Sequence, residues 1–480
     1  MQTAHPRRWS ALAVIALAQF IVIMDTSIIG VALPEIRADL GFTADSLSWV
    51  FNAYVIAFGG LLLLGGRLSD LFGAKRMFSL GWAILAGASL VAGLADSTGA
   101  EIAARAAQGA GAALIAPSAL ALLMTLFGSD PKELMKAFAV YGAAAPAGGT
   151  AGVFLGGVIT EWMSWPWVFY VNIPIALLVL ALVPALMPGA PARRGSIDIL
   201  GALTATSGLA LTVFAIVRAP AEGWTSAATL ASVGGGLLLL ALFVALQASR
   251  RAPLMRLGIL RAPNLAAANG AQLLLGAAWI PMWFFLNLYL QQVLGFGPFE
   301  GGAALLPMTI AIMFLMVVVA PRVISRFGFK VPIVGGMLLL AAGMAVLSLV
   351  RADGSFAIDV LPASLIAATG MALAFIPSLG TAISAAAPEE GGLAAGIVNT
   401  SYQVGSALGL ATMTVLATSR GADILSDTAA LTSGYSAAFL GAAGIAAAGA
   451  LLAAAALRTP KAPAAGPPQP QVEDRELVTV

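Results

Sequence analysis

Cysteine is absent from the 480-residue chain, which excludes a disulfide framework, a thiolate metal site and a catalytic thiol. Histidine occurs once, at His5 near the N-terminus, so a multi-histidine metal centre is excluded as well. Charge is scarce: Asp, Glu, Lys and Arg make up 10% of residues, where a soluble chain carries about 25%. No nucleophile–base pair appears, so neither enzymatic activity nor a cofactor is expected. The net charge is only +2 and the basic residues sit in short loops, which gives no footing for nucleic acid.

What the chain has is apolar sequence. It is 60% hydrophobic with a mean hydropathy of +0.95, and apolar runs of about 20 residues recur, each long enough to cross a bilayer core of about 30 Å. Polar breaks place helices near 10–33, 47–66, 77–96, 100–126, 136–160, 164–187, 197–217 and 226–247, then near 263–292, 300–325, 330–350, 357–381, 393–418 and 432–457. The expected fold is therefore all-α and polytopic, with 14 transmembrane helices. The first run follows Arg7 and Arg8 as a signal peptide would, but it is long and lacks a small-residue cleavage site, so it reads as a retained first helix.

Basic residues test this map, because cytoplasmic loops carry an excess of Lys and Arg. With the N-terminus in the cytoplasm, 19 of the 24 basic residues fall in inner segments and only Arg37, Arg218, Arg351 and Arg420 in outer ones. Arg105 falls inside a helix. Adding or removing one helix would put later basic loops on the wrong side, so both termini are expected in the cytoplasm of a bacterial cell with the chain in its inner membrane.

A weak repeat relates two parts of the chain. GGRLSDLFGAKR (65–76) follows helix 2 and PRVISRFGFK (321–330) follows helix 10, with Gly73 matching Gly328 and Lys75 matching Lys330. The expected partition is a tail at 1–9, a six-helix bundle at 10–187, inserted helices 7 and 8 with their loops at 188–262, a second bundle at 263–457, and a Pro- and charge-rich disordered tail at 458–480. Such repeats place a transporter's binding site near the midplane between halves.

Asp25 is the only acid that reads as deep in a helix. It lies about 8 residues, roughly 12 Å, from the outer end of helix 1. A carboxylate there costs about 2.5–3.5 kcal/mol on insertion scales, so intramembrane acids are functional by default. The expectation is a proton carrier; the bland alternative is a structural ion pair with Arg105, and the two are compatible. Arg105 reads as roughly 8 Å deep in helix 4, where it would hold Asp25 ionised until a proton or substrate competes. Its alternative is snorkelling to the outer headgroups. If Asp25 is not the carrier, Glu161 and Glu300 come next.

Other polar groups fall into sets. Gly66, Asp70, Gly73, Lys75 and Arg76 form a short inner loop in which Asp70 can accept from a helix N-terminus or a basic side chain, a cytoplasmic latch. Gly148, Gly152 and Gly156, with Gly157 beside them, form a smooth ridge on helix 5, suited to close helix packing or to sliding. Asn399, Tyr402, Gln403 and Ser406 make a polar stripe on helix 13, and Trp279, Trp283 and Asn287 a second on helix 9. Candidate cavity-lining residues are Gln108, Asn52, Tyr54, Trp283, Asn287, Asn399, Tyr402 and Gln403. Trp162, Trp165, Trp167, Phe169 and Tyr170 read as an interfacial aromatic belt, the alternative reading for the helix 9 tryptophans too.

MDTSIIGVALP (24–34), the 66–76 loop, RAAQGAGAALIAPS (105–118), WPWVFYVNIP (165–174), YLQQVLGFGPFEGGAALLP (289–307) and GLAAGIVNTSYQVGSALGLA (392–411) together resemble the major facilitator superfamily, specifically its 14-helix drug–proton antiporters of the EmrB/QacA type. The chain departs from that pattern at Gly30, Val153, Pro166 and Tyr402, where the family usually has Asn, Pro, Arg and Arg. The resemblance implies two rocking bundles about a central cavity and proton-driven export, with the motif acid and arginine falling on Asp25 and Arg105. A lipophilic drug or secondary metabolite is the implied cargo, protons and the bilayer the implied partners, and a monomer the expected state. Two other readings stay open: a proton symporter or uniporter importing a small solute, and a membrane sensor that transports nothing.

Overall fold

The computed structural model describes residues 7–42, 44–189, 198–250, 253, 257–386, 391–422, 424 and 426–458. His5 and the tail beyond Arg458 lie outside them. All regular structure among the described residues is helical, as hydrocarbon demands: with no water to satisfy backbone N–H and C=O groups, an open chain pairs them within itself. In chain order the helices are α1 (Arg8–Leu40), α2 (Ala44–Phe72), α3 (Ala74–Gly93), α4 (Thr98–Phe127) and α5 (Pro131–Trp162). Then come α6 (Trp167–Leu186), α7 (Ile199–Glu222) and α8 (Ala227–Ser249), followed by α9 (Leu265–Val293) and α10 (Phe299–Phe327). The last four are α11 (Lys330–Leu347), α12 (Phe356–Ser384), α13 (Gly391–Thr418) and α14 (Thr428–Ala456).

Among the described residues, 12 helices are long and apolar enough to cross a membrane. The other two expected spans coincide with α7, whose apolar stretch Leu203–Ile216 is shorter, and α13. Side-chain caps fix several starts. Ser97 accepts from the Ala100 amide at α4, Asp130 from Lys132 and Glu133 at α5, and Asp427 from Ala429 and Ala430 at α14, each satisfying donors that the first turn leaves open.

Two boundaries differ from the expected ones in ways that matter. α1 runs past its apolar span, which ends at Leu33, as far as Leu40, and stops at Gly41 with φ 72. α2 continues through the expected inner loop to Phe72. The chain breaks only at Gly73, φ 91, just as it breaks at Gly328, φ 72, between α10 and α11. The repeat seen in the sequence is thus a repeated left-handed helix break, which glycine allows without a Cβ penalty.

Buried side chains gather in two main cores. One is built around Phe78, Trp82, Phe127 and Phe138 of the early helices, the other around Phe285, Met316, Met337 and Phe439 of the late ones. α1 packs on α5, and α4 on α2 and α3; in the later half α9 packs on α13, α11 on α12, and α14 on both α9 and α11. The two sets meet along α5 against α10 and α2 against α13, and α7 lies on α2 and α13. α8 is the least buried span at 17% and presents Leu230, Leu237 and Leu238 outward, the pattern of a perimeter helix facing lipid.

Candidate functional site

Asp25, two turns before the end of the α1 span, meets Arg105 of α4. One carboxylate oxygen accepts Arg105 Nη1 at 2.6 Å, and both side chains are fully buried. The other oxygen accepts from Asn172 Nδ2 of α6 at 2.7 Å and from Gln108 Nε2 at 3.3 Å. Gln108 sits three residues beyond Arg105, on the same helix face. Its Oε1 accepts from Arg105 Nη1 at 2.7 Å, and its amide also donates to Ser89 Oγ of α3 at 2.8 Å. Arg105 Nε donates to the Val50 carbonyl of α2 at 2.9 Å. The guanidinium carbon lies 4.6 Å from the Tyr54 ring centroid, and Tyr54 itself donates to the Val22 carbonyl at 3.1 Å.

Five helices therefore converge on one ion pair. Snorkelling is overturned, because Arg105 is completely buried and its fork is turned inward. A guanidinium over an aromatic face away from water gains about 2 kcal/mol or more, which offsets part of its desolvation. A buried pair of this kind is held by geometry, and losing one partner leaves an uncompensated charge. Protonating Asp25 would remove the same charge while keeping its side chain.

The glycine ridge explains how α1 is placed. A Cβ on Gly148 would strike the Phe20 carbonyl oxygen, one on Gly152 would lie 2.7 Å from that of Met24, and one on Gly156 2.9 Å from that of Ile28. Each step of four on α5 meets a step of four on α1, so the ridge is a packing seam within the first set of helices that brackets Asp25. Gly157 and Val153 are buried beside it.

The expected cavity residues separate into three groups. Gln108 and Tyr54 belong to the ion-pair network and have no exposed surface. Trp283 faces the seam: its ring would meet a Cβ on Gly149, which also neighbours Ile23 and Ser27. It lies 6.3 Å, centroid to centroid, from Trp279. Both tryptophans sit well inside α9, so the belt reading fails for them. Gln403 lines a small cleft with Val55, Gly59, Leu209, Thr400 and Val404, while Tyr402 packs edge-on against Phe375 at 5.6 Å. Ser406 turns back on the Tyr402 carbonyl, Asn287 accepts from Gln291, and Asn399 is partly buried. The side chain of Asn52 lies outside the described residues.

Other expectations need correction. Trp162 and Trp167 are exposed as a belt requires, but Trp165 and Phe169 are buried, with Trp165 donating to Asp39 at 2.9 Å. The latch residues Gly66 and Asp70 lie in the last turns of α2 rather than in a loop. Lys75 reaches the carbonyls of Pro184 and Met187, both at 3.0 Å, which ties α3 to the end of α6; Arg76 is exposed. Glu161 is exposed and Glu300 caps its own helix by accepting from the Gly297 amide. Asp25 is not the only deep acid, since Glu101 of α4 is fully buried too. Asn172 and Ser89 were not singled out from sequence. Asn172, a lone amide in an apolar run before a proline, was findable; Ser89 carries no sequence signal.

A family model described as Major Facilitator Superfamily matches residues 15–410. A cephamycin export protein, CmcT, from Amycolatopsis lactamdurans is 39% identical over 436 residues, covering 90% of this chain and 89% of its own. The puromycin resistance protein pur8 of Streptomyces alboniger is 38% identical, with 89% and 85% covered. The tetracenomycin C resistance and export protein of Streptomyces glaucescens is 33% identical, with 88% and 78% covered. Among solved structures, the human organic anion transporter MFSD10 superposes with a TM-score of 0.65 at 18% identity, covering 94% of this chain and 100% of that one, which speaks to fold alone. With the helix motifs of the sequence, the two packed helix sets and these matches in agreement, the chain belongs to the major facilitator superfamily.

Proposed function

We propose that this chain is a proton-coupled exporter of lipophilic antibiotics or secondary metabolites, working by alternating access between its two bundles. The observation that carries the reading is the fully buried Asp25–Arg105 pair. An intramembrane acid paired with a single arginine among the described residues is a functional site by physical default, and a titratable group there can carry a proton. The export and resistance roles named for the cephamycin, puromycin and tetracenomycin C relatives supply the cargo class. No catalytic or cofactor role is assigned. The orientation that fits the basic loops has both termini in the cytoplasm of a bacterial cell membrane, with a single copy as the working unit. Gln403, Trp283, Tyr402, Asn399 and Asn287 are the residues from which cargo contacts are drawn. Asp70 and its neighbours at the α2–α3 junction act as the cytoplasmic latch.

The test is drug accumulation in cells with and without the protein. Export predicts lower accumulation with the protein, and an uncoupler of the proton gradient abolishes the difference. Higher accumulation would favour import by symport, and no difference for any compound a sensor.

A further inference from the structure

The network around Asp25 leaves out one acid. Glu101 lies one turn before Arg105 on α4, the spacing that stacks two side chains on a helix face. It is 0% exposed, and neither of its carboxylate oxygens has a hydrogen-bond partner. Among the described residues no ion pair joins it to Arg105, whose carboxylate partner is Asp25. On Arg105, Nη1 and Nε are taken by Asp25, Gln108 and the Val50 carbonyl, while Nη2 has no hydrogen-bond partner. One helical turn thus holds an unused donor and two unused acceptors.

Charge decides how these groups can be used. Arg105 supplies one positive charge and Asp25 cancels it. A second carboxylate, ionised and without a donor, would leave the buried site net negative, at a cost of several kcal/mol. A neutral carboxyl avoids most of that cost. Among the described residues, the remaining titratable group facing the site is Tyr54 on α2; α3 and α6 contribute Ser89 and Asn172, which do not titrate.

Resting on the proton-coupled reading above, we infer that Glu101 is a second proton-carrying group: it holds a proton while Asp25 pairs with Arg105 and releases it when Asp25 takes one. The exchange balances. A proton binds the Asp25 carboxylate and breaks the ion pair; the freed guanidinium turns Nη2 toward Glu101; the Glu101 O–H bond breaks and its proton leaves. One proton enters, one departs, and Arg105 faces a single carboxylate before and after. Glu101 is one turn closer than Arg105 to the Thr98 end of α4, so the exchange also moves the negative charge toward that end.

Infrared difference spectroscopy on the purified full chain at neutral pH reads the C=O stretch of a protonated carboxyl directly. Wild-type protein should show such a band from a buried group, and Glu101→Gln should remove it. Asp25→Asn, which leaves Arg105 without its carboxylate, should remove it as well, because Glu101 then ionises to pair with the guanidinium. A missing band in the wild type, or a band that survives either substitution, overturns the proposal. If Glu101→Gln yields no folded protein, Glu101→Asp, which keeps a carboxyl in the site, should shift the band, and a band unmoved by that substitution overturns the proposal. In liposomes, Glu101→Gln should lose proton release coupled to drug while retaining downhill drug exchange; unchanged coupling overturns its role. Wild-type liposomes that exchange no protons for drug would instead sink the coupling reading, and the transport role of Glu101 with it.

Discussion

The two helix sets share a seam and differ in what crosses it. In the first, Gly148, Gly152 and Gly156 of α5 press against the α1 backbone; in the second, Gly405 and Gly409 of α13 press against the α9 carbonyls of Leu273 and Ala277 in the same way. Among the described residues, only the first carries an ion pair beside the seam. Every fully buried charged residue among the described ones lies before residue 200, at Asp25, Glu101, Arg105 and Asp198. The matching region of the second set offers Gln272, Thr400 and Ser406 instead. One backbone solution therefore serves twice, while among the described residues the fully buried ion pair is found in one half alone.

The largest effect expected from breaking that comparison is at Arg105. Arg105→Leu strands Asp25 as a buried charge and should destabilise the protein by about 3–5 kcal/mol, measured by thermal unfolding of purified protein. Gln272→Leu in the second half removes only a neutral bond, from Nε2 to the Phe375 carbonyl at 3.1 Å, and should cost about 0.5–1.5 kcal/mol. Equal losses would mean the halves are electrostatically alike after all. Next come Gly148→Val and Gly405→Val. Each overpacks one seam, so each should cost about 1–3 kcal/mol, and the two should match; a much larger loss at Gly148 would make the first seam more than packing. The smallest effect is at Gln403. Gln403→Ala should shift export of individual compounds by up to about tenfold, the scale of one lost hydrogen bond, with proton exchange per drug unchanged. A uniform loss for every compound would make Gln403 structural.

Much of this division was legible in the sequence, for a physical reason. A charge within an apolar run is conspicuous because hydrocarbon tolerates so few, and that alone singled out Asp25 and Arg105 and placed them at similar depth. The α5 glycine ridge was legible as spacing, but not its partner, since periodicity marks a face without naming what covers it. Glu101 escaped because it stands in the first turn of α4, where an acid reads as ordinary complement to the helix dipole; its burial comes from the helices packed around it. The junction after α2 was misread as a loop because Arg67, Ser69 and Asp70 are polar, yet all three are acceptable in a helix, and only the φ of 91 at Gly73 ends it. Trp162 and Trp165 have the same local composition and opposite exposure; Trp165 packs into a cluster with Ile36, Phe42 and Phe169 and donates to Asp39, partners that local sequence does not name.

The claim beneath all of this is that Asp25 carries the coupling proton. Asp25→Asn keeps the size and shape of the side chain, removes its charge, and replaces one of the two oxygens that accept from Arg105, Gln108 and Asn172 with a donor. One charge moving through a 100 mV potential is worth about 2.3 kcal/mol, roughly 50-fold in gradient. Purified protein in liposomes under an imposed pH gradient, with drug and protons followed together, reads that quantity directly. The account predicts that wild-type protein concentrates drug as protons flow the other way, and that the Asn variant still equilibrates drug but neither concentrates it nor exchanges protons for it. An Asn variant that concentrates drug to the wild-type level, with proton exchange intact, would contradict it.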